Sequence, residues 1–356
     1  MLPSDRFVVY GTTCNHSFDQ RVLELTNGVL SANLTFSHIN HTTFPDGEPG
    51  FKIRKPEKIR GRHAVLFACP VTYKVRAQMK DIIAACSCQY GARSLLLVLS
   101  FLCFRRQDRL NEHEITRLRW FMRDLKHWGV DRVVVCEPHS EEHARAYADE
   151  FGVELLSADP TRDFADAVGG VIATLGRQNV VFYSPDFGSI KRAARLAKHF
   201  GCPIVATPKV RAHGSEIEID RLDADAFMAK VREAYSGEIE VIPDVEQVAG
   251  KHVFMREDEV STARTSASTA VRLKNKKAAS VRLVATHPVC SPGWREYLFP
   301  EGKPYPFDQV WLGDTRPRGR DDESEYEGST GGEVKVVSMA PVMARALKEA
   351  LERIVD

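Results

Sequence analysis

The sequence has no long hydrophobic run, no C-x-x-C cysteine pair and no excess of charge of either sign, and each absence excludes a class of protein. The longest apolar run, Leu95 to Cys103, is too short to span a bilayer, and the first residues contain no apolar signal core. Cys86 and Cys88 are too close together for a usual zinc site, so we expect free thiols and a cytoplasmic location. The formal net charge of +1 argues against a general nucleic-acid or membrane-surface binder.

The length of the chain is its first informative property. It has 356 residues, of which 43% are hydrophobic and 27% are charged. That composition is typical of a globular protein, and the length suits two domains of roughly 150 residues better than one core.

In the first half of the chain, short apolar runs alternate with helical patterns. Buried strands are predicted at residues 7–10, 64–67, 95–99 and 133–135. Between the last two, a helix is predicted from the spacing of Ile115, Leu118, Met122 and Leu125, and Gly129 ends it. Strands that alternate with helices predict the α/β class, with a mainly parallel sheet covered by helices.

The second half repeats this pattern, so a second domain of the same class is predicted. Helices are expected near residues 164–175 and 189–200, and strands at 180–182, 204–205, 253–254 and 281–283. The domains are placed at 1–157 and 158–337, with a C-terminal helix 338–356 that packs back on the first. Residues 38–60 are typical of a protruding hairpin, and residues 313–332 of a solvated loop.

Two polar segments of the first half follow directly after predicted strands. Arg106-Gln107-Asp108-Arg109 follows the third strand, and His139 follows the fourth. Ligands bind at the carboxyl ends of parallel strands, where two arginines can hold phosphate oxygens and a histidine can ligate a metal. A solvated turn and a helix start remain the alternatives.

Two further segments stand at strand ends in the second half. Ser184-Pro-Asp186 opens a helix, and Asp186 can either bind Mg²⁺ between phosphates or cap that helix. Lys209 and Arg211 follow the strand at 204–205 and lie on one side of the chain if the segment is extended. Such a pair would neutralise charge on a transferred phosphoryl group, and an exposed basic loop is the alternative.

The run from Arg256 to Thr265 combines three features of a sugar-phosphate site. It reads Arg-Glu-Asp-Glu-Val-Ser-Thr-Ala-Arg-Thr, with acids first, small hydroxyl residues next and a helix after them. Carboxylates can hold sugar hydroxyls, and the amides and hydroxyls of a helix N-terminus can hold a phosphate. An ordinary capped helix is the alternative. Five polar clusters at strand ends together predict a phosphate-binding site.

These residues resemble the ribose-phosphate pyrophosphokinases along nearly the whole chain. Phe44-Pro-Asp46-Gly-Glu48 resembles the family's hairpin motif Phe-Ser-Asp-Gly-Glu, and Arg106-Gln-Asp-Arg109 matches its Arg-Gln-Asp-Arg. The remaining matches are Glu137-Pro-His139, Ser184-Pro-Asp186, Lys209 with Arg211, Thr286-His287 and Ser338-Met-Ala-Pro341. The resemblance implies two phosphoribosyltransferase-like domains and transfer of the β,γ-diphosphate of magnesium-bound ATP to the C1 hydroxyl of a ribose.

The resemblance also implies a role for each matched residue. The residues that it implies for ATP binding are Phe44, Asp46, Glu48, Arg106, Gln107, Asp108 and Arg109. Lys209, Arg211 and Arg106 are implied to stabilise the transferred diphosphate, and His139 and Asp186 to bind Mg²⁺. The residues implied for the ribose and its phosphate are Asp186, Glu257, Asp258, Ser261, Thr262, Ala263, Arg264 and Thr265.

The sugar-phosphate run departs from the family pattern Val-Asp-Asp-Met-Ile-Asp-Thr-Ala-Gly-Thr. The acid pair persists as Glu257 and Asp258, whereas Ser261 stands in place of an Asp and Arg264 in place of a Gly. A Gly lets the backbone approach an anion closely, and a long Arg suits a longer anion such as a diphosphate. This pattern resembles the branch of the family that uses ADP-ribose, the ADP-ribose pyrophosphate synthetases of phage NAD⁺ rebuilding pathways.

We therefore expect an enzyme that uses Mg²⁺ and ATP to convert ADP-ribose into ADP-ribose pyrophosphate and AMP, and whose product passes to a nicotinamide-transferring enzyme. Two alternatives stay open: ordinary synthesis from ribose 5-phosphate, and a non-catalytic regulatory subunit. Because the family's hairpin contributes to a neighbour's site, the resemblance implies a homodimer or a higher oligomer. No nucleic-acid or membrane partner is expected.

Overall fold

The computed structural model describes residues 2–110, 113–184, 187–206, 241–242, 245–317 and 334–355. The chain folds into two compact units. Unit 1 consists of Met1–Asp159, Thr315–Pro317 and Met339–Asp356, and unit 2 of Pro160–Asp314 and Arg318–Ser338.

Strands and helices alternate along both units. The strands are β1 (Phe7–Gly11), β2 (Ile39–Thr43), β3 (Pro49–Ile53), β4 (His63–Ala68), β5 (Ser94–Leu99), β6 (Arg132–Cys136), β7 (Glu154–Ala158), β8 (Val180–Ser184), β9 (Ile204–Ala206), β10 (Val241–Ile242), β11 (His252–Val260), β12 (Ser280–Pro288), β13 (Gln309–Gly313) and β14 (Val334–Val337). The α-helices are α1 (His16–Leu30), α2 (Tyr73–Ala84), α3 (Arg117–Trp128), α4 (Glu141–Phe151), α5 (Thr161–Leu175), α6 (Phe187–Phe200), α7 (Arg264–Asn275), α8 (Trp294–Leu298) and α9 (Ala340–Val355).

Unit 1 is built on a five-stranded parallel sheet in the order β1-β4-β5-β6-β7. After their first residues, His63 and Ser94, the central strands β4 and β5 are apolar and buried, as expected for a parallel sheet covered on both faces. Alternate side chains of these strands share a core cluster with apolar residues of α2, α3 and α4. The strands β2 and β3 form a separate antiparallel hairpin.

The helix α3 begins two residues later than its apolar spacing suggests. Leu118, Met122 and Leu125 are buried as predicted, but Ile115 precedes the helix and is 62% exposed. Its inclusion in the helical pattern was therefore wrong. Gly129 ends the helix in the left-handed region, with φ at 103°, and its amide donates to the carbonyl of Lys126.

The C-terminal helix α9 belongs to unit 1, where it contacts α1, β6 and β7. Its apolar face is buried, and a polar contact holds its last turn. Arg353 donates to one carboxylate oxygen of Glu154 at 2.7 Å, and Arg132 donates to the other at 2.6 Å. Glu154 therefore ties α9 to the outer strands β6 and β7 through two charge-assisted hydrogen bonds.

Unit 2 contains a seven-stranded parallel sheet in the order β10-β9-β8-β11-β12-β13-β14. From β8 the chain first moves outward to β9 and β10, and then returns to place β11 on the other side of β8. The strand order therefore reverses between β8 and β11, and such a reversal is the usual ligand position in open α/β sheets. Apolar residues of α7 and α8 join the sheet in one core cluster.

The predicted α/β class, with mainly parallel sheets flanked by helices, is confirmed. Strands β7, β10, β13 and β14 were not among those predicted, because their apolar runs are short or interrupted by polar residues. Of the helices in the described part of the chain, none combines the length and apolarity that a membrane crossing requires.

Candidate active site

The segment after β5 presents two arginines outward and buries the aspartate between them. Arg106 is exposed and the side chain of Arg109 is 57% exposed, whereas Asp108 is only 1% exposed. The loop is fixed by its backbone, since the amide of Gln107 donates to the carbonyl of Phe104 and the carbonyl of Gln107 accepts from the amide of Leu118. This geometry leaves two guanidinium groups at the carboxyl edge of the sheet, where they can reach anionic oxygens.

Asp108 is an anchor for this loop on helix α4. The Tyr147 hydroxyl donates to the backbone carbonyl of Asp108 at 2.9 Å, and Nδ1 of His143 lies 3.7 Å from carboxylate Oδ2. Burial, followed by the nearby Asp108 carboxylate, raises the pKa of Tyr147, so its hydroxyl stays protonated and able to donate. Nε of Arg109 lies 3.4 Å from the other oxygen of Asp108.

Sequence reasoning did not find His143 and Tyr147 as supports of the Arg106–Arg109 motif. Their rings are stacked with centroids 6.3 Å apart. The available signal was their spacing, because residues four apart lie on one face of a helix, and this helix starts next to a candidate site residue. Nothing in the sequence indicates that this face would meet the loop after β5.

His139 lies between the end of β6 and the start of α4. Ser140 caps α4, with its hydroxyl accepting from the amide of His143 at 3.2 Å, so His139 is held at the turn before the helix and is half-buried. The preceding Glu137 is buried and adopts a positive φ of 27°, a strained conformation for a residue other than glycine. Since β5 and β6 are parallel neighbours, His139 and the Arg106 loop leave the same edge of the sheet.

Among the described residues, this edge fits Mg²⁺ as an ion that the nucleotide brings with it. Within the described ranges, no group of three or more histidine, cysteine, aspartate or glutamate side chains is arranged to hold a metal. Mg²⁺ bound mainly by phosphates and water needs just one or two protein ligands, so one imidazole near exposed arginines is compatible with it. Asp186, the second predicted metal ligand, lies outside the described residues.

The predicted ATP-contacting hairpin is formed by β2 and β3. Phe44, Asp46 and Glu48 lie in its exposed connection, where the amide of Phe44 donates to the carbonyl of Glu48 and the amide of Glu48 donates to Oδ1 of Asp46. The ring of Phe44 lies over Gly50, so closely that an added Cβ there would stand 2.7 Å from Cε2. The large apolar ring of Phe44 is 54% exposed.

In unit 2, the predicted sugar-phosphate run lies at the reversal of strand order. β11 pairs with β8 only as far as Met255, and with β12 as far as Val260. The end of β11 thus extends beyond Ser184, the last residue of β8, and carries the acidic residues Glu257 and Asp258. Lys209 and Arg211, like Asp186, lie outside the described residues.

The helix after this strand begins without a side-chain cap. Ala263 occupies the N-cap position with φ at 61°, and α7 starts at Arg264 with no acidic residue in its first turn. Arg264, Thr265 and Thr262 are exposed, and the hydroxyl of Ser261 lies 3.1 Å from the hydroxyl of Ser291. The first backbone amides of a helix are unsatisfied within it, so this end can accept an anion.

Arg256, the first residue of the sugar-phosphate run, is buried inside unit 2 and holds the run through its contacts. It is 1% exposed, donates to the hydroxyl of Thr286 at 2.9 Å and to the carbonyl of Glu257, and its guanidinium lies 4.6 Å from the ring centroid of Phe164. The sequence alone did not indicate this burial, because an arginine at a strand end is more often solvated.

Comparison with known proteins finds curated relatives named ribose-phosphate pyrophosphokinase. No protein-family model matches the chain. The ribose-phosphate pyrophosphokinase of Aquifex aeolicus is 27% identical over 334 residues, which cover 91% of this chain and 91% of that protein. The enzyme of the same name from Sulfolobus acidocaldarius is 26% identical over 285 residues, covering 79% of this chain and 84% of that protein.

A solved structure shares the fold. The crystal structure of phosphoribosylpyrophosphate synthetase from Mycobacterium smegmatis matches with a TM-score of 0.72, covering 98% of this chain and 99% of that one, at 19% sequence identity. At that identity the likeness establishes the fold.

Proposed function

We propose, because the chain is a relative of the ribose-phosphate pyrophosphokinases, that it is a diphosphotransferase acting on the C1 hydroxyl of a ribose phosphate. The hydroxyl oxygen forms a bond to the β-phosphorus of ATP and loses its proton to solvent. The bond from the β-phosphorus to the oxygen shared with the α-phosphate breaks, and AMP leaves. Positioning and charge neutralisation contribute most to such a transfer.

The observation that carries this proposal is the uncapped start of α7 at the reversal of strand order in unit 2. An acid pair, Glu257 and Asp258, lies near the end of the preceding strand, β11, and the helix amides follow from Arg264. The carboxylates can accept hydrogen bonds from ribose hydroxyls, while the amides and the hydroxyl of Thr262 bind the phosphate.

The remaining predicted residues act on ATP and on the transferred group. Arg106 and Arg109 extend from a loop that Asp108 anchors, so they can bind the nucleotide phosphates with little loss of side-chain freedom. We propose that Lys209 and Arg211 neutralise the charge that develops on the moving diphosphate. Bound Mg²⁺ would withdraw charge from the phosphate oxygens, and His139 and Asp186 are the residues proposed to hold it.

For the acceptor, we propose ADP-ribose. Arg264 occupies the first position of α7 with an exposed side chain, and Ser261 contributes no charge, so the helix start carries a net positive group instead of an acid. A diphosphate that continues past the binding loop would gain a bidentate contact from this arginine. The diphosphate at C1 of the product is a leaving group, so the next enzyme would displace it with a nitrogen nucleophile such as nicotinamide.

Ribose 5-phosphate is the alternative acceptor, favoured by the names of the two relatives. A comparison of AMP release from Mg²⁺-ATP with each acceptor separates the candidates. We expect AMP to form at least about ten times faster with ADP-ribose, which corresponds to roughly 1.4 kcal/mol of preferential binding in the transition state. AMP release only with ribose 5-phosphate would show ordinary synthesis, and ATP binding without AMP release would show a non-catalytic subunit.

Two variants test whether Arg264 selects the acceptor. Arg264→Gly restores the residue that the family has at this position, so we expect the preference to shift toward ribose 5-phosphate. Lys276→Ala removes a cation from the residue that follows the other end of α7 and serves as the matched control. An unchanged acceptor ratio in Arg264→Gly would remove this arginine from the specificity argument while leaving the diphosphotransferase proposal intact.

A further inference from the structure

Cys14 and Cys69 follow neighbouring parallel strands of unit 1 at the same edge of the sheet. Gly11 at the end of β1 is the register partner of Phe67 in β4, and the amide of Thr12 still donates to the carbonyl of Phe67 at 3.0 Å. The two connections therefore run side by side beyond the last paired residues. The carbonyl oxygen of Thr315 lies 3.6 Å from Sγ of Cys69 and 3.2 Å from Nδ2 of Asn15, the residue after Cys14, so the two cysteines lie close together.

The two thiols differ in access to solvent. Cys69 is fully buried, and its Sγ donates to the backbone carbonyl of Thr315 at 3.6 Å. Cys14 is half-buried, so a small solute can reach it. One thiol is therefore placed to react with a solute, and the other is placed behind it, out of reach.

The surroundings of Cys14 favour its thiolate form. The neighbouring Cys69 side chain lowers the pKa of Cys14, and the positive charge of Arg316 acts in the same direction, against the effect of burial. The guanidinium of Arg316 lies 4.8 Å from the ring centroid of Phe101. Asp19 is 1% exposed, and burial, followed by the nearby Cys14, raises its pKa well above the ordinary value, which favours the neutral form of this neighbouring carboxyl.

We propose that Cys14 and Cys69 form a reversible disulfide when a hydroperoxide reaches Cys14. The Cys14 sulfur attacks the outer peroxide oxygen, the O–O bond breaks, and the departing oxygen takes a proton and leaves as an alcohol or water. Cys14 is then a sulfenic acid. The Cys69 sulfur attacks the Cys14 sulfur, the S–O bond breaks, and the Cys69 proton leaves with the hydroxyl as water. Two thiols are oxidised and one peroxide is reduced.

The disulfide would change how unit 1 holds the segment Thr315–Pro317. The carbonyl of Thr315 accepts from Sγ of Cys69 and from Nδ2 of Asn15 at 3.2 Å, so both hydrogen bonds come from a reacting cysteine or from its neighbour. Oxidation removes the thiol donor and moves the connection that carries Asn15. Oxidation of this thiol pair would therefore change the hydrogen bonds that attach the segment Thr315–Pro317 to unit 1.

The test is oxidation of the full chain with hydrogen peroxide. The reduced protein is treated with a small excess of peroxide, the remaining thiols are alkylated, and peptides are mapped without reduction. We expect one cross-linked species that joins the Cys14 and Cys69 peptides, and its loss on treatment with dithiothreitol. Alkylation of both cysteines after peroxide treatment, or a Cys14 cross-link to a different cysteine, would overturn the proposal.

Variants give an independent readout of which sulfur reacts first. In Cys69→Ser the second thiol is absent, so Cys14 should accumulate as a sulfenic acid that dimedone traps. Cys88→Ser removes an exposed thiol and is the matched control, in which the Cys14–Cys69 cross-link should form as in the unmodified chain. Dimedone labelling at Cys88 without labelling at Cys14 would contradict the assignment. If Cys69→Ser fails to fold, the peptide map of the unmodified chain still decides.

Discussion

Within the motif Arg106–Arg109, Asp108 has a different role from the two arginines. Its neighbours Arg106 and Arg109 are exposed, whereas the aspartate is buried and bound through its carbonyl to Tyr147. The motif could be found from its residue types and from its place after an apolar strand. The burial of its third residue could not be predicted, because it depends on a helix that follows in the chain and packs against this loop.

At this scale, the first prediction concerns Arg106. Arg106→Ala should lower kcat/KM for ATP by about 100-fold or more, because a positioned charged donor to the phosphates is lost. Steady-state AMP release measures the effect. Arg93→Ala removes an exposed arginine next to the amino end of the same strand, β5, and should leave kcat/KM within about twofold of the unmodified enzyme, too little to reflect a lost phosphate contact. Equal rates for the two variants would exclude Arg106 from the site.

A second prediction concerns the anchor of the motif. Tyr147→Phe removes the hydroxyl that donates to the Asp108 carbonyl, so the free energy of unfolding should fall by about 1 kcal/mol and the KM for ATP should rise. Thermal unfolding measures the change in stability, and the rate of AMP release at increasing ATP concentration gives the KM. Tyr90→Phe, whose hydroxyl accepts from Gln89, should leave the KM for ATP unchanged. A changed stability with an unchanged KM would make Tyr147 a structural residue only.

At the scale of single elements, the described structure agrees best with the sequence where strands are apolar throughout. The strands β4 and β5 were predicted within a residue of their bounds, because every position after the first is apolar and buried. The strand β14 has two buried positions out of four, and β7 was divided by the proposed domain boundary. Short or half-polar strands take their structure from neighbouring strands, and the sequence of the strand itself contains little of that information.

The hairpin formed by β2 and β3 gives a prediction about a single structural element. Gly50→Ala places a methyl group against the Phe44 ring and the Thr42 hydroxyl, so the ring must move and the KM for ATP should rise severalfold. Gly28→Ala is the control, because nothing lies within 4 Å of an added Cβ at this position in α1. There the unfolding free energy should increase by about 0.5–1 kcal/mol, with activity unchanged. An unchanged KM for ATP in Gly50→Ala would argue against a role for Phe44.

The attachment of α9 gives a pH-dependent prediction. Burial acts to raise the pKa of Glu154, but hydrogen bonds from Arg353 and Arg132 outweigh it, and the net pKa is lowered. A carboxylate with a lowered folded-state pKa stabilises the protein above the unfolded value, about 4.3, and this contribution is lost as pH falls through the folded value.

Glu154→Gln should therefore lower stability near pH 7 by about 1 kcal/mol, since solvent screens a partly exposed pair, and the difference from the unmodified chain should shrink as pH falls below about 4.3. Thermal unfolding of both proteins over a range of pH measures this difference in stability. Glu24→Gln, on the exposed face of α1, should show no such convergence. A difference that persists at low pH would show that the carboxylate charge is not the cause.

At the scale of the whole molecule, two units of one class use the same edge of their sheets. In each unit, the candidate residues follow the carboxyl ends of parallel strands, and this much follows from alternating strands and helices. The order of the strands in each sheet does not follow from that alternation. The reversal between β8 and β11, which places the sugar-phosphate run beside Ser184, results from the direction in which each connection leaves the sheet. The apolar pattern of the sequence does not predict that direction.

The central claim is that the protein moves an intact diphosphate from ATP to the C1 oxygen of a ribose. Phosphorus NMR of a mixture of the full chain, Mg²⁺, ATP and ADP-ribose follows both phosphorus atoms of that group. We predict that the β- and γ-phosphorus signals of ATP are replaced by those of a diphosphate ester on the acceptor, with one AMP formed for each. Appearance of ADP with inorganic phosphate, or of AMP with free diphosphate and unchanged acceptor, would contradict the claim.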